Sequence, residues 1–110
     1  MFKLFKKSNN TTENENQVHT FEDYDPSDLT KLTVFGYTGK FSNHPIISIY
    51  FNNLLIGEVS QNEIKTFSVP APGMVTFKFK RASANVAMTG EIAVQLDFDR
   101  TWGGLIAQKV

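Results

Sequence analysis

Few residues in this chain are of types that do chemistry, and none stand at the spacing that chemistry needs. Histidine occurs twice, as His19 in a polar leader and as His44 just before Pro45. A zinc site takes Cys, His or carboxylate ligands in closely spaced sets, and cysteine is absent. Both histidines therefore read as exposed loop residues. There is no Gly-x-Ser-x-Gly elbow and no phosphate-cradling glycine loop ahead of a helix. Asp97 and Asp99 flank Phe98 and share one face of a strand. Such a pair can hold a cation or work as acid and base, but Arg100 beside them makes an ion pair the simpler reading. No catalytic residue, metal or cofactor is expected, and the chain reads as a non-enzyme.

Two groups point instead to binding. Lys78, Lys80 and Arg81 cluster at the end of one strand, and Tyr50 is placed to share their surface or a neighbouring one. Cations beside an exposed aromatic are how small β-barrels hold single-stranded RNA or DNA, with charge on phosphate and stacking on bases. The same lysines equally protect an edge strand from aggregation. The second group is Asp99-Arg100-Thr101-Trp102-Gly103-Gly104. Arg100 and Trp102 are candidates for a protein-partner interface, where Arg and Trp are enriched among hot spots. The alternative is that Trp102 caps the core while the glycine pair reverses the chain. A third feature is the start, where Phe2, Leu4 and Phe5 interleave with Lys3, Lys6 and Lys7. Residues 1–7 could touch an anionic membrane surface weakly; an ordinary N-terminus or short edge strand explains them as well.

Charge is segregated along the chain. The net charge is zero, yet residues 8–30 carry six acids and no Lys or Arg, whereas residues 31–110 carry eight basic and five acidic groups. Residues 8–17 contain nothing apolar, which reads as a disordered linker. Residues 18–30 add Val18, Phe21, Tyr24 and Leu29. They either pack on the domain or form an acidic-aromatic docking motif. The resulting division is an acidic, flexible leader over 1–30 and one domain over 31–110. No run of apolar residues is long enough for a transmembrane helix, and no apolar h-region follows the first lysines, so a secretory signal is not expected. With cysteine absent as well, the expected compartment is the cytoplasm.

The elements that must position these residues are strands. From Lys31 onward, short apolar-alternating runs are separated by turn signals at Asn52-Asn53, Gln61-Asn62, Pro70–Gly73, Ala82–Asn85 and Trp102–Gly104. That cadence predicts a small antiparallel β-sandwich of about seven strands, with a compact barrel as the alternative. Asn52-Asn53 fits a two-residue type I′ hairpin, because Asn tolerates positive φ. Pro72-Gly73 fits the centre of a type II turn. Met74–Lys80 and Glu91–Phe98 alternate most cleanly, with Val75, Phe77, Phe79, Ile92, Val94, Leu96 and Phe98 inward. The ten phenylalanines compensate for a small core.

Residues 46–80 resemble the PEGA-type β-sandwich modules. The likeness runs through Ile47–Val59, a threonine-containing strand, and Val69-Pro70-Ala71-Pro72-Gly73 leading into the next strand. Modules of that kind are usually non-enzymatic, and the resemblance implies the same here. The Asn- and Lys-rich composition suggests an AT-rich bacterial or phage source. The resulting expectation is an interaction or regulatory module with a protein partner, the alternatives being a nucleic-acid-binding regulator and a membrane-surface accessory protein.

Overall fold

The computed structural model describes residues 18–99, 101 and 103–110. Eight strands run in order: β1 (Thr30–Phe35), β2 (Ile47–Phe51), β3 (Leu54–Val59), β4 (Ile64–Val69), β5 (Gly73–Phe79), β6 (Ala82–Met88), β7 (Ile92–Phe98) and β8 (Leu105–Lys109). They form two four-stranded sheets ordered β4-β1-β7-β8 and β3-β2-β5-β6. Every pairing is antiparallel except β1 with β7, which is parallel. The sheets remain separate layers, so the molecule is a sandwich and not a barrel.

Alternation builds the core. In β5, Val75 and Phe77 are fully buried while Met74 and Lys78 are exposed. In β7, Val94 and Leu96 are buried. Leu32 and Val34 of β1 and Ile47, Ile49 and Phe51 of β2 meet them from either sheet. Phe79 and Phe98 lie at the strand ends and are half-buried against the same cluster. Phe35 faces outward, paired with exposed Ile64.

Asn52 and Asn53 both take positive φ, 48° and 71°, between the paired residues Phe51 and Leu54. The type I′ hairpin is thus present. Asn52 also ties the hairpin to β5, since its N–H donates to the Met74 carbonyl and its Oδ1 accepts from the Met74 N–H.

Two sequence expectations are corrected. Ala82–Asn85 is not a turn but the first half of β6. Its inward positions, Ala82, Ala84, Val86 and Met88, are too small at the start to signal a strand. The reversal lies two residues earlier, at Lys80-Arg81, where Lys80 takes φ 54° between paired Phe79 and Ala82. Nor does Pro72-Gly73 centre a type II turn. Gly73 does not have the positive φ that such a turn requires at its third position. It is already in β5, paired with Met88, and the Ala71–Pro72 peptide before it is cis.

Residues 18–29 pack on the β3/β4 side. The His19 N–H donates to the Leu55 carbonyl of edge strand β3 at 2.8 Å. Phe21 meets Phe51 edge-on at 6.1 Å and Tyr24 at 5.5 Å. Pro26–Asp28 form a 3-10 turn whose Asp25 cap accepts from the Ser27 N–H and hydroxyl. These two bonds hold the Asp25 carboxyl below its ordinary pKa. At the far terminus, the Val110 N–H donates to the Ala93 carbonyl. Val110 therefore leaves from the end where β7 begins, whereas Val18 lies along β3 beside Leu55–Glu58.

Candidate functional site at the loop end

The connections β1–β2 (36–46), β3–β4 (60–63), β5–β6 (80–81) and β7–β8 (99–104) all lie at the opposite end. Strand direction places them there, since β1, β3, β5 and β7 run toward it. Buried Tyr37 anchors this end: its hydroxyl donates to the Pro45 carbonyl at 2.7 Å, and burial raises its pKa. Around it stand Phe41, Phe79 and Phe98, in edge-to-face contacts with centroids 5.2–5.6 Å apart. That geometry is the preferred one for aromatic rings.

A second set of bonds fixes the neighbouring turn. The Ser60 N–H donates to Glu63 Oε1 at 2.8 Å, and the Glu63 N–H returns to the Ser60 carbonyl. The bond from Ser60 holds the Glu63 carboxyl below its ordinary pKa. Gly36 donates to the Glu63 carbonyl, and a Cβ on Gly36 would fall on the Ser60 carbonyl oxygen. Gln61 Nε2 donates to the Gly39 carbonyl at 2.8 Å. The loop end is therefore held by backbone and side-chain bonds rather than left as loose connections.

Between the 41–45 segment and the strand ends of β5 and β7 is a hollow of about 330 Å³. Phe41, Pro45, Phe79 and Phe98 supply carbon walls; Asn43 and Asp99 supply polar rim. Beyond Gly103 a second hollow of about 400 Å³ is bordered by Arg81 and Ser83. Lys80 Nζ stands 5.5 Å from the Phe79 ring centroid. The recess thus has aromatic walls, a polar rim that includes the Asp99 carboxylate, and Lys80 beside it, with Arg81 on the neighbouring hollow.

The remaining sequence candidates are located as follows. Lys78 and Tyr50 come together on the outer face of the β3-β2-β5-β6 sheet, with Nζ 5.0 Å from the ring centroid. Lys80 and Arg81 sit instead in the turn at the loop end, so the basic cluster is split between a sheet face and a turn. Arg100, Trp102 and residues 1–7 lie outside the described residues. Their neighbours Asp99 and Gly103 close the β7–β8 connection, with Gly103 N–H donating to the Asp99 carbonyl at 2.7 Å. The carboxylates of Asp97 and Asp99 accept from the backbone N–H groups of Phe98 and Thr101. Among the described residues no group of three or more metal-ligating types gathers. His19 and His44 are exposed and far apart in the fold. No described helix is long and apolar enough to cross a membrane. Sequence reasoning missed Phe41 as a wall residue and Tyr37 as the buried anchor beside it; the signal available was aromatic density near Gly36 and Gly39, in a segment with no strand periodicity.

No family model, curated protein or solved structure matches this chain.

Proposed function

We propose that the protein is a non-enzymatic, cytoplasmic binding module that takes an apolar anchor from a partner protein into the loop-end hollow. The observation that carries this reading is the aromatic recess of Phe41, Phe79 and Phe98, with Asp99 on its rim, Lys80 beside Phe79, and Arg81 on the neighbouring hollow. Interface hot spots are apolar or aromatic side chains seated in such pockets, with charged groups at the rim. A partner carrying an acidic residue beside its anchor suits Lys80, with Asp99 on the rim restricting where that acid can sit. The resemblance of residues 46–80 to non-enzymatic PEGA-type modules supports the same class.

The nucleic-acid alternative is less well supported by the geometry. Lys78 lies over the Tyr50 ring, and its register neighbour two strands away is Glu58. A stacking base would have to displace Lys78 on a face that also carries an acid. The test is affinity capture with the intact protein, nuclease-treated and untreated, beside a Lys80→Glu/Arg81→Glu variant. Retention of a protein that resists nuclease and is lost in the variant supports the proposal. Retention of nucleic acid that weakens steeply with salt and vanishes in Lys78→Gln/Lys80→Gln/Arg81→Gln overturns it.

A further inference from the structure

Each sandwich edge ends in a strand, and three of the four carry a device that discourages pairing with another chain. β3 has a register break beside Ile49/Tyr50, carries Glu58 and is bonded by His19. β4 carries Lys65, and β8 ends in Lys109. Among the described residues, β6 carries none of these devices. Its seven residues, Ala-Ser-Ala-Asn-Val-Ala-Met, include no charge and no proline, and its register with β5 is unbroken from Gly73↔Met88 to Phe79↔Ala82. Long, regular, uncharged edges are rare in monomeric proteins because they template strand addition.

We propose that β6 pairs with β6 of a second copy of this chain, antiparallel about a two-fold axis at Asn85. In a two-residue hairpin the closing pair, here Phe79 and Ala82, exchanges both backbone bonds, and bonded pairs then alternate along the ladder. Ala82, Ala84, Val86 and Met88 are thereby committed to β5. The N–H and C=O groups of Ser83, Asn85 and Ala87 point out of the edge. A two-fold at Asn85 sets Asn85 opposite Asn85, and Ser83 opposite Ala87, of the partner copy. Each outward group then faces a complementary one, with none left over.

Charge favours the same occupant. Like charges directly opposite destabilise a ladder, so a neutral strand is the kind that tolerates its own image. The antiparallel register also brings the Lys80-Arg81 turn of one copy beside Thr89–Glu91 of the other. A parallel pairing would instead set the cationic turns together. The outward side chains Ser83, Asn85 and Ala87 are small and exposed, and among the described residues β8 of the other sheet is the strand packed beside this edge.

The experiment measures the mass of the full chain by light scattering or sedimentation from micromolar to near-millimolar concentration. The expected result is a monomer–dimer equilibrium. Asn85→Lys/Ala87→Lys, which sets like charges across the axis, should raise the dissociation constant by about tenfold or more. Because cysteine is absent from the chain, Asn85→Cys gives a single thiol next to its own copy. It should oxidise to a covalent dimer, since opposed bonded residues bring Cα atoms to about 5.5 Å, within disulfide reach. Thr66→Cys on the β4 edge should stay monomeric under the same oxidation. A wild-type chain that remains monomeric throughout overturns the proposal and leaves the edge to a strand of another protein. A dimer that ignores the double lysine variant, with Asn85→Cys no more reactive than Thr66→Cys, overturns it as well.

Discussion

The two open sides of the sandwich solve the same problem differently. On the β3/β4 side the gap between sheets is partly covered, leaving a hollow of about 270 Å³ lined by Phe21, Ile56 and Phe67. The Phe67 ring lies against Gly57, so close that a Cβ there would meet it at 2.7 Å, and residues 18–21 lie alongside β3. On the β6/β8 side the two edge strands contact each other across the layers, and the β6 backbone has no further described partner. A protein can hide an edge by spending chain on it or leave it regular for another chain to use. Here the longest regular edge is also the neutral one, and the shielded edge is the one with a bulge.

The comparison can be broken from its centre outward. Phe77→Ala empties a site common to both sides and should cost about 3–5 kcal/mol, read as a lower urea midpoint with an unchanged slope. A near-normal midpoint would mean that β5 presents its other face inward. Gly36→Ala acts only on the covered side. It drives a methyl group into the Ser60 carbonyl and strains the bond from Gly36 to Glu63, and should cost about 3 kcal/mol. Phe21→Ala removes a half-buried ring from the same side; about 1–2 kcal/mol is expected, with faster amide exchange along β3. On the bare side, Asn85→Lys/Ala87→Lys should change the stability of the dilute monomer by no more than about 0.5 kcal/mol. A large loss there would show that the β6 edge is already covered within one chain.

The smallest effect is a pH dependence. Glu63 has a lowered pKa in the folded state because it accepts the Ser60 N–H. Its contribution is therefore present at neutral pH and is lost as pH falls through its folded value, below the ordinary 4.5. Glu63→Gln should flatten that part of the acid denaturation curve. An identical acid limb in wild type and variant would separate the turn from the pH response.

Strands with strong alternation, β5 and β7, were legible because large apolar residues recur at period two. The Asn52-Asn53 hairpin was legible because its chemistry is local. β6 was not, since Ala82 and Ala84 fill inward positions with side chains too small to stand out from Ser83 and Asn85. The candidate site was legible only in pieces. Lys80 and Arg81 were visible as cations, but the aromatic walls come from segments 38 and more residues apart, Phe41 and Phe79. Only the crossing of chain from one sheet to the other brings them together, through contacts with no local signature. Tyr50 and Lys78 lie on one outward face, where the period-two pattern puts both.

Val110 departs from the end opposite the aromatic hollow, where its N–H bonds the Ala93 carbonyl. Anything joined after it, whether a tag, a surface or another protein, would be attached a full strand length away from the recess. The module is in that sense a pole with its grip at the tip. A fusion after Val110 should leave the grip unobstructed, and a copy immobilised there should present it outward.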